Sequence, residues 1–280
     1  MNDQVSMPAD QQQLWNGVAG KGWTEAQAVL DAMFAPFEDL LAEIVPGTPD
    51  GPLLDIGCGT GATTLAAART AGAARHCTGI DISEPMLARA RERARGQGID
   101  ADFIRADAET HHFEPGAHAR IVSRFGVMFF GDPVRAFANL RAACMAGARM
   151  RFAAWRAPAE NPFMTTAERA AAPLLPALPK RDPDGPGQFA FADPDKVRRI
   201  LDESGWSAIG IAPVDIPCTL PVRELDGYFT RLGLLPLVLP SLDAGLRAQV
   251  IRTVRDAFAP FVDGEQVRFT AACWLVDATA

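Results

Sequence analysis

From Leu14 to Val45 apolar residues recur at three- and four-residue spacing, the period of a helix with one buried face. Thr24 stands where an N-cap is expected, and the polar residues 1–13 read as a frayed start. After the turn cluster Pro46–Pro52 the pattern changes to short apolar runs alternating with longer amphipathic ones. Strands are predicted at PLLDI (52–56), HCTGID (76–81), ADFIRAD (101–107), ARIVSRF (119–125) and ARMRFAAW (148–155). Helices are predicted between them at 62–71, 83–98 and 132–147. Ser83 and Asp132 are placed as N-caps, Pro85 in a first turn, and Gly96 ends its helix. Such alternation implies a parallel sheet with helices on both faces.

Beyond Trp155 the density of prolines rises, and residues 156–190 read as an insertion with one short helix, PFMTTAERAAAPLL. A capped amphipathic helix follows at 193–206 and a strand at 207–220. Residues 222–261 are mostly helical, with breaks expected at Pro236 and Pro240, and QVRFTAACWLVDA (266–278) is a last strand. The expected architecture is α/β: a doubly wound, seven-stranded, mostly parallel sheet with a helical cap. Its parts are an N-terminal helical segment (1–45), a ligand-binding core (46–157), a cap insertion (158–190), core again (191–216), the helical cap (217–264) and a final core strand (265–280).

Composition narrows the function. The 280 residues suffice for a sizeable core, and 48% hydrophobic with 22% charged residues is ordinary for a globular protein. A net charge of −7 repels phosphate backbones and argues against a nucleic-acid partner. The arginines of RARERAR therefore read as a solvated helix face. Five cysteines without a CxxC pair argue against a zinc site or a disulfide framework, and suggest a reducing compartment. The chain shows neither an apolar leader nor a run of about 18 apolar residues, so a cytoplasmic protein without a membrane span is expected. No metal is expected, and oligomeric state is open.

The stretch PLLDIGCGTGATTLAAAR carries the candidate chemistry. A glycine loop between a strand and a helix lets a ligand approach the backbone closely. Gly57, Gly59 and Ala62 satisfy the dinucleotide pattern, and Asp81 stands about twenty residues on, where a carboxylate grips ribose hydroxyls. A nicotinamide-dependent oxidoreductase is thus one reading. Two details favour another. Asp55, two residues before Gly57, is unwelcome beside a pyrophosphate but suits an ammonium. Gly61 shortens the spacing to G-x-G-x-G. A ligand with an amino-acid tail and a ribose but no phosphate fits both, and S-adenosylmethionine is such a ligand.

At LLDIGCGTG the chain resembles the class I S-adenosylmethionine-dependent methyltransferases, whose fold is Rossmann-like. The likeness continues through GIDIS (79–83), FIRADAE (103–109), IVSRFGVMFF (121–130) and NLRAACMAGARMRFAAW, where the family's Pro-Gly-Gly appears as Met145–Ala148. The resemblance implies that Asp55, Gly57, Cys58, Gly59 and Gly61 bind the cofactor. It further implies Asp81 on the ribose, Ile82 against the adenine, Asp107 and Ala108 beside the adenine amino group, and Ser123 and Phe125 where cofactor meets substrate. The segment LWNGVAGKGW is similar to the aromatic N-terminus of small-molecule methyltransferases of the ubiquinone/menaquinone type. Trp15 and Trp23 then fold over the cofactor, or they simply anchor the first helix. SRFG replaces the Asn-Pro-Pro-Tyr type motif of nucleic-acid methyltransferases, which disfavours that substrate class.

Histidine is the obvious base near neutral pH, and His111 is the candidate, although paired His111 and His112 also read as exposed loop residues. Trp155, Phe163, Met164 and Leu235, the last within LGLLPLVLP, either line an apolar substrate chamber or are plain core. The function so implied is in-line methyl transfer to O, N or C of a small, fairly apolar molecule. The alternatives are a nicotinamide enzyme, a cofactor-binding protein without transfer, or methylation coupled to a rearrangement.

Overall fold

The computed structural model describes residues 11–43, 48–71, 76–175, 178 and 185–280. Five parallel strands form the sheet's first part: β1 (Leu53–Ile56), β2 (Cys77–Asp81), β3 (Asp102–Arg105), β4 (His118–Arg124) and β5 (Cys144–Trp155). Three antiparallel strands complete it: β6 (Ser207–Pro221), β7 (Val262–Asp263) and β8 (Gln266–Thr279). The spatial order is β3-β2-β1-β4-β5-β8-β6, with the two-residue β7 beside β8. This makes eight strands where the sequence predicts seven, because a two-residue bridge has no periodicity to read. The direction of winding reverses between β1 and β4, and ligands of open α/β sheets settle at that switch point.

Helices α4 (Ala62–Ala71), α5 (Glu84–Gln97), α6 (Pro133–Ala142) and α8 (Pro194–Glu203) flank the strands. The single N-terminal helix expected from periodicity is three: α1 (Gln11–Asn16), α2 (Val18–Glu25) and α3 (Gln27–Ala42). Thr24 lies inside α2, where its hydroxyl donates to the Gly20 carbonyl at 2.8 Å, and so caps nothing. Residues 11–13 are helical rather than frayed, while residues 1–10 and Val45 lie outside the described residues. Helix α5 runs past Gly96 to Gln97, and Gly98 at φ 64° supplies the left-handed turn that ends it. Helix α6 stops at Ala142, five residues early, because Cys144 already pairs with His118 of β4.

The cap rests on a ribbon. Strands β6 and β8 pair from Ser207↔Thr279 to Pro221↔Gln266, but β5 accompanies β8 only over 273–279. The remainder projects past the sheet and carries α7 (Pro162–Ala171), α9 (Leu225–Arg231), α10 (Leu235–Val238) and α11 (Ala244–Ala257). These helices share their own apolar cluster, in which Leu220 and Val267 of the ribbon meet Phe229, Leu235, Val250 and Phe258. The helical stretch breaks just ahead of Pro236 and of Pro240, as expected, and a new helix starts at each. Each occupies the first turn of a short one, where a missing N–H leaves no bond unmade.

Asn161, fully buried before α7, pins the cap to the sheet. Its amide oxygen accepts from Ala272 N at 2.9 Å and its amide nitrogen donates to Ala272 O at 2.9 Å. Asn161→Ala strands the Ala272 N–H and should lower stability by about 1–3 kcal/mol. Urea unfolding of the variant checks this, and an unchanged midpoint would contradict it.

Candidate active site

The site begins where β1 ends. Gly57 N and Cys58 N both donate to Ile80 O, at 2.9 and 3.1 Å, which bends the chain sharply toward β2. Gly59 N then donates to Asp81 Oδ2 at 2.8 Å. Gly57 has φ 64°, and a Cβ there would lie 2.7 Å from Gly126 Cα. Gly126 returns the constraint: its Cβ would stand 2.5 Å from Ile56 O. The exits of β1 and β4 therefore touch backbone to backbone. Gly61 is turned elsewhere. A side chain there would strike Ala90 and Phe103, so this glycine lets α5 and β3 close against the loop and does not reach the cavity.

Asp81, at the end of β2, accepts from Gly59 N with one oxygen and from Ser83 N with the other, both at 2.8 Å. Burial pushes its carboxyl up, partly offset by these bonds. Each carboxylate oxygen keeps a second lone pair for a ligand hydroxyl. Asp55 is 1% exposed and lies just beneath the glycine loop rather than among the residues lining the cavity. Its Oδ2 accepts from the Thr64 hydroxyl at 2.6 Å, whereas its Oδ1 has no partner. Burial pushes this carboxyl up to about 7 against the opposing pull of Thr64 and Arg124. Cys58 is a buried thiol pushed well up by burial, which makes it an unreactive small side chain in the wall.

Helices α1 and α2 lie across the opening and are tied to the β2–α5 loop. Asn16 donates to Ile82 O at 3.0 Å and accepts from Glu84 N at 3.0 Å. Ser83 occupies the N-cap position of α5, yet its hydroxyl donates to Trp15 O at 2.6 Å. The cap bond expected of Ser83 is thus supplied from another helix by Asn16. Trp15 and Trp23 stand edge to face, 6.2 Å apart, and both line the cavity.

That cavity, of about 470 Å³, runs from the glycine loop to the cap. Gly57, Cys58, Gly59, Asp81, Ile82, Asp107 and Ala108 form one end. Phe125, at φ 65° and stacked on Trp155 at 4.3 Å, forms the middle. Phe163, Met164 and Leu235 of the cap wall the other end, with Phe229 and Leu237. Besides Asp55 and Gly61, two further candidates lie outside the cavity wall. Ser123 is fully buried, donating to Ile56 O at 2.7 Å and accepting from Gly126 N, so it ties the two strand exits together. The His111 ring packs edge-on against Phe113 and is not among the lining residues. Among the described residues no cluster of His, Cys, Asp or Glu is arranged to hold a metal ion.

Sequence reading missed Arg124. It closes β4, lines the cavity, and meets Glu38 of α3 only loosely, at 3.7 Å. A basic residue at the carboxyl end of a parallel strand was the signal. Glu109 also lines the cavity, but it is occupied by Gly131 N, Asp132 N and Arg135.

Residues 53–147 match a family model described as a methyltransferase domain. The matched core is similar to the methyltransferase domains of the S-adenosylmethionine-dependent class. An aklanonic acid methyltransferase of Streptomyces sp. (strain C5) is 32% identical over 120 residues, covering 42% of this chain and 54% of that protein. A demethylmenaquinone methyltransferase of Renibacterium salmoninarum is 25% identical over 178 residues, 61% and 72% of the two chains. The chain spans about half the length of several curated relatives it matches. The YcgJ protein of Bacillus subtilis shares the fold with a TM-score of 0.57 at 17% identity, over 88% of this chain and 98% of that one.

The domain's cofactor is S-adenosylmethionine, and the residues present fit it. Asp81, at the cavity wall, has lone pairs to offer hydroxyls, bare backbone at Gly57 and Gly59 lines the same end, and beneath the loop a buried carboxylate oxygen of Asp55 has no partner within the protein. Asp55 generates a prediction. Between about pH 4 and 7 the native, ligand-free chain holds a proton on Asp55 that the unfolded chain has released, so this group's effect on stability worsens as pH rises through that window. Asp55→Asn removes the dependence. The variant's stability relative to the parent should rise across that window, by at most about 1.4 kcal/mol per pH unit, and level off above it. Thermal melts of both proteins at pH 4.5 and 8 decide the matter, and a pH-independent difference would refute it.

Proposed function

We propose that this protein transfers a methyl group from S-adenosylmethionine to an O, N or C atom of a small, fairly apolar acceptor. The observation that carries the reading is the single cavity joining two unlike walls. One wall offers carboxylates and bare backbone, and the other offers aromatic and aliphatic side chains of the cap. Relatives named for aklanonic acid and demethylmenaquinone support a small-molecule acceptor. The acidic total charge and the absence of a basic groove in the cavity wall support no nucleic-acid substrate. A cytoplasmic location accords with the reduced, dispersed cysteines, and among the described residues no helix is long and apolar enough to cross a membrane.

When bound, the cofactor supplies a methylsulfonium, an electrophile that needs no metal activation. The chain's own work is positioning. Asp81 and the Gly57–Gly59 backbone hold one end of the cavity, and Asp55 lies under it. Phe125, held by Trp155, Phe34 and Phe37, sets the boundary between the two compartments. The strap of α1 and α2 and the cap together exclude water. Aligning two reactants in this way is worth about 7–11 kcal/mol. We assign no general base, since His111 lies outside the cavity wall.

Calorimetry tests the cofactor: S-adenosylhomocysteine should bind with micromolar or tighter affinity and NADH should give no heat. The reverse result would mean a nicotinamide enzyme. His111→Ala should lose less than about tenfold in single-turnover methyl transfer, below the about 10²–10⁴-fold contribution of a true acid–base residue. A larger loss would restore His111 as base.

A further inference from the structure

Among the described residues three buried side-chain polar atoms have no hydrogen-bond partner: Asp55 Oδ1, Arg124 Nη1 and Arg149 Nε. Two of the three are opposite charges at one place. In the parallel register Asp55 stands against Val122, so Arg124 is two residues further along β4, on the same face and nearer the ligand edge. Arg124 faces α3, with its guanidinium 5.8 Å from the Phe34 ring centroid and its Nη1 3.7 Å from Glu38, beyond hydrogen-bonding range. Its side chain is 11% exposed, and it lines the cavity.

Leaving two charged groups buried and half-satisfied is costly, and such atoms are ordinarily paired. The nearby pair Arg93–Asp31, at 2.6 Å, shows that the same region closes ion pairs tightly where nothing further is to be bound. An ammonium alone would satisfy Asp55 and leave Arg124 as it is. A carboxylate alone would satisfy Arg124 and leave Asp55 more isolated. An α-amino-acid head group balances both at once: its carboxylate meets Arg124 at the cavity wall, and its ammonium lies over the loop above the buried Asp55 carboxyl. Arginine suits the second task, since its planar fork meets a carboxylate with two parallel N–H donors.

We propose that Arg124 reads the carboxylate of the ligand's amino-acid head, so that the site selects a zwitterionic head group over a simple amine or an uncharged tail. The proposal rests on the cofactor reading above. It adds a residue outside the glycine motif and a rule of ligand selection.

Titration calorimetry without acceptor tests it, using S-adenosylhomocysteine, its decarboxylated analogue and methylthioadenosine. The parent protein should prefer the first over the second by about tenfold or more, the range of a charge-assisted hydrogen bond. Arg124→Gln should shrink that preference below about threefold and leave methylthioadenosine within about threefold of the parent, while Arg124→Lys should restore part of the preference. Equal binding of the first two ligands by the parent overturns the proposal without any variant. So does a full preference retained in Arg124→Gln, or an equal loss for all three ligands, which marks a structural arginine. If the parent binds none of the three, the cofactor reading itself fails.

Discussion

The contact between Gly57 and Gly126 is what the rest of the site depends on. Two strand exits meet there with only backbone between them, and neither position has space for a Cβ. Because β1 and β4 flank the switch point of the sheet, this contact fixes how far the crevice opens. Ser123 reinforces it by bonding Ile56 O and Gly126 N together. Phe125, between Ser123 and Gly126, is consequently held in a left-handed conformation that a bulky residue adopts only under constraint. Its ring is thereby aimed at Trp155 and into the cavity. A strained aromatic residue at the junction of two compartments is a direct product of that close approach.

The electrostatics follow from the same geometry. Bringing the glycine loop down onto β1 buries Asp55 and turns Asp81 toward the loop N–H groups, while α3 covers Arg124 through Phe34 and Glu38. Asp81 has its backbone partners within the protein, so it is ready for neutral hydroxyls. Asp55 and Arg124 lack full partners, so the buried floor holds separated charge. Burial raises the Asp55 carboxyl and lowers the Arg124 guanidinium, each toward its neutral form. A ligand that brings its own pair of charges relieves both at once.

Two separate structures enclose this floor. The strap of α1 and α2 is held by Asn16 on the β2–α5 loop and reaches the cap through Arg231 and Glu25, 3.6 Å apart. The cap stands on the β6–β8 ribbon and is pinned by Asn161. Neither enclosure belongs to the sheet core, and each meets the cavity with apolar side chains, Trp15 and Trp23 on one side and Phe163, Met164 and Leu235 on the other. The glycine-loop end and the apolar end of the cavity thus come from different parts of the chain.

The alternating strands and helices, the sharp turn at Gly57–Gly59 and the offsets of Asp55 and Asp81 could be read from the sequence, because each is a short-range pattern in which period, propensity and spacing suffice. What the sequence could not decide was direction and reach. Gly61 and Ser123 belong to the same motifs as their neighbours, yet one faces α5 and the other lies under Gly126, since side-chain facing depends on how strands register with one another. His111 carries suitable chemistry but a loop turns it to Phe113. Asn16 caps a helix 68 residues away, and Arg124 gains its meaning from an unpaired carboxylate on a neighbouring strand. The cap exists because β6 and β8 pair past the end of β5, a contact between segments far apart in the chain. Local chemistry thus established the ligand class, whereas long-range strand pairing determined which side chains reach it.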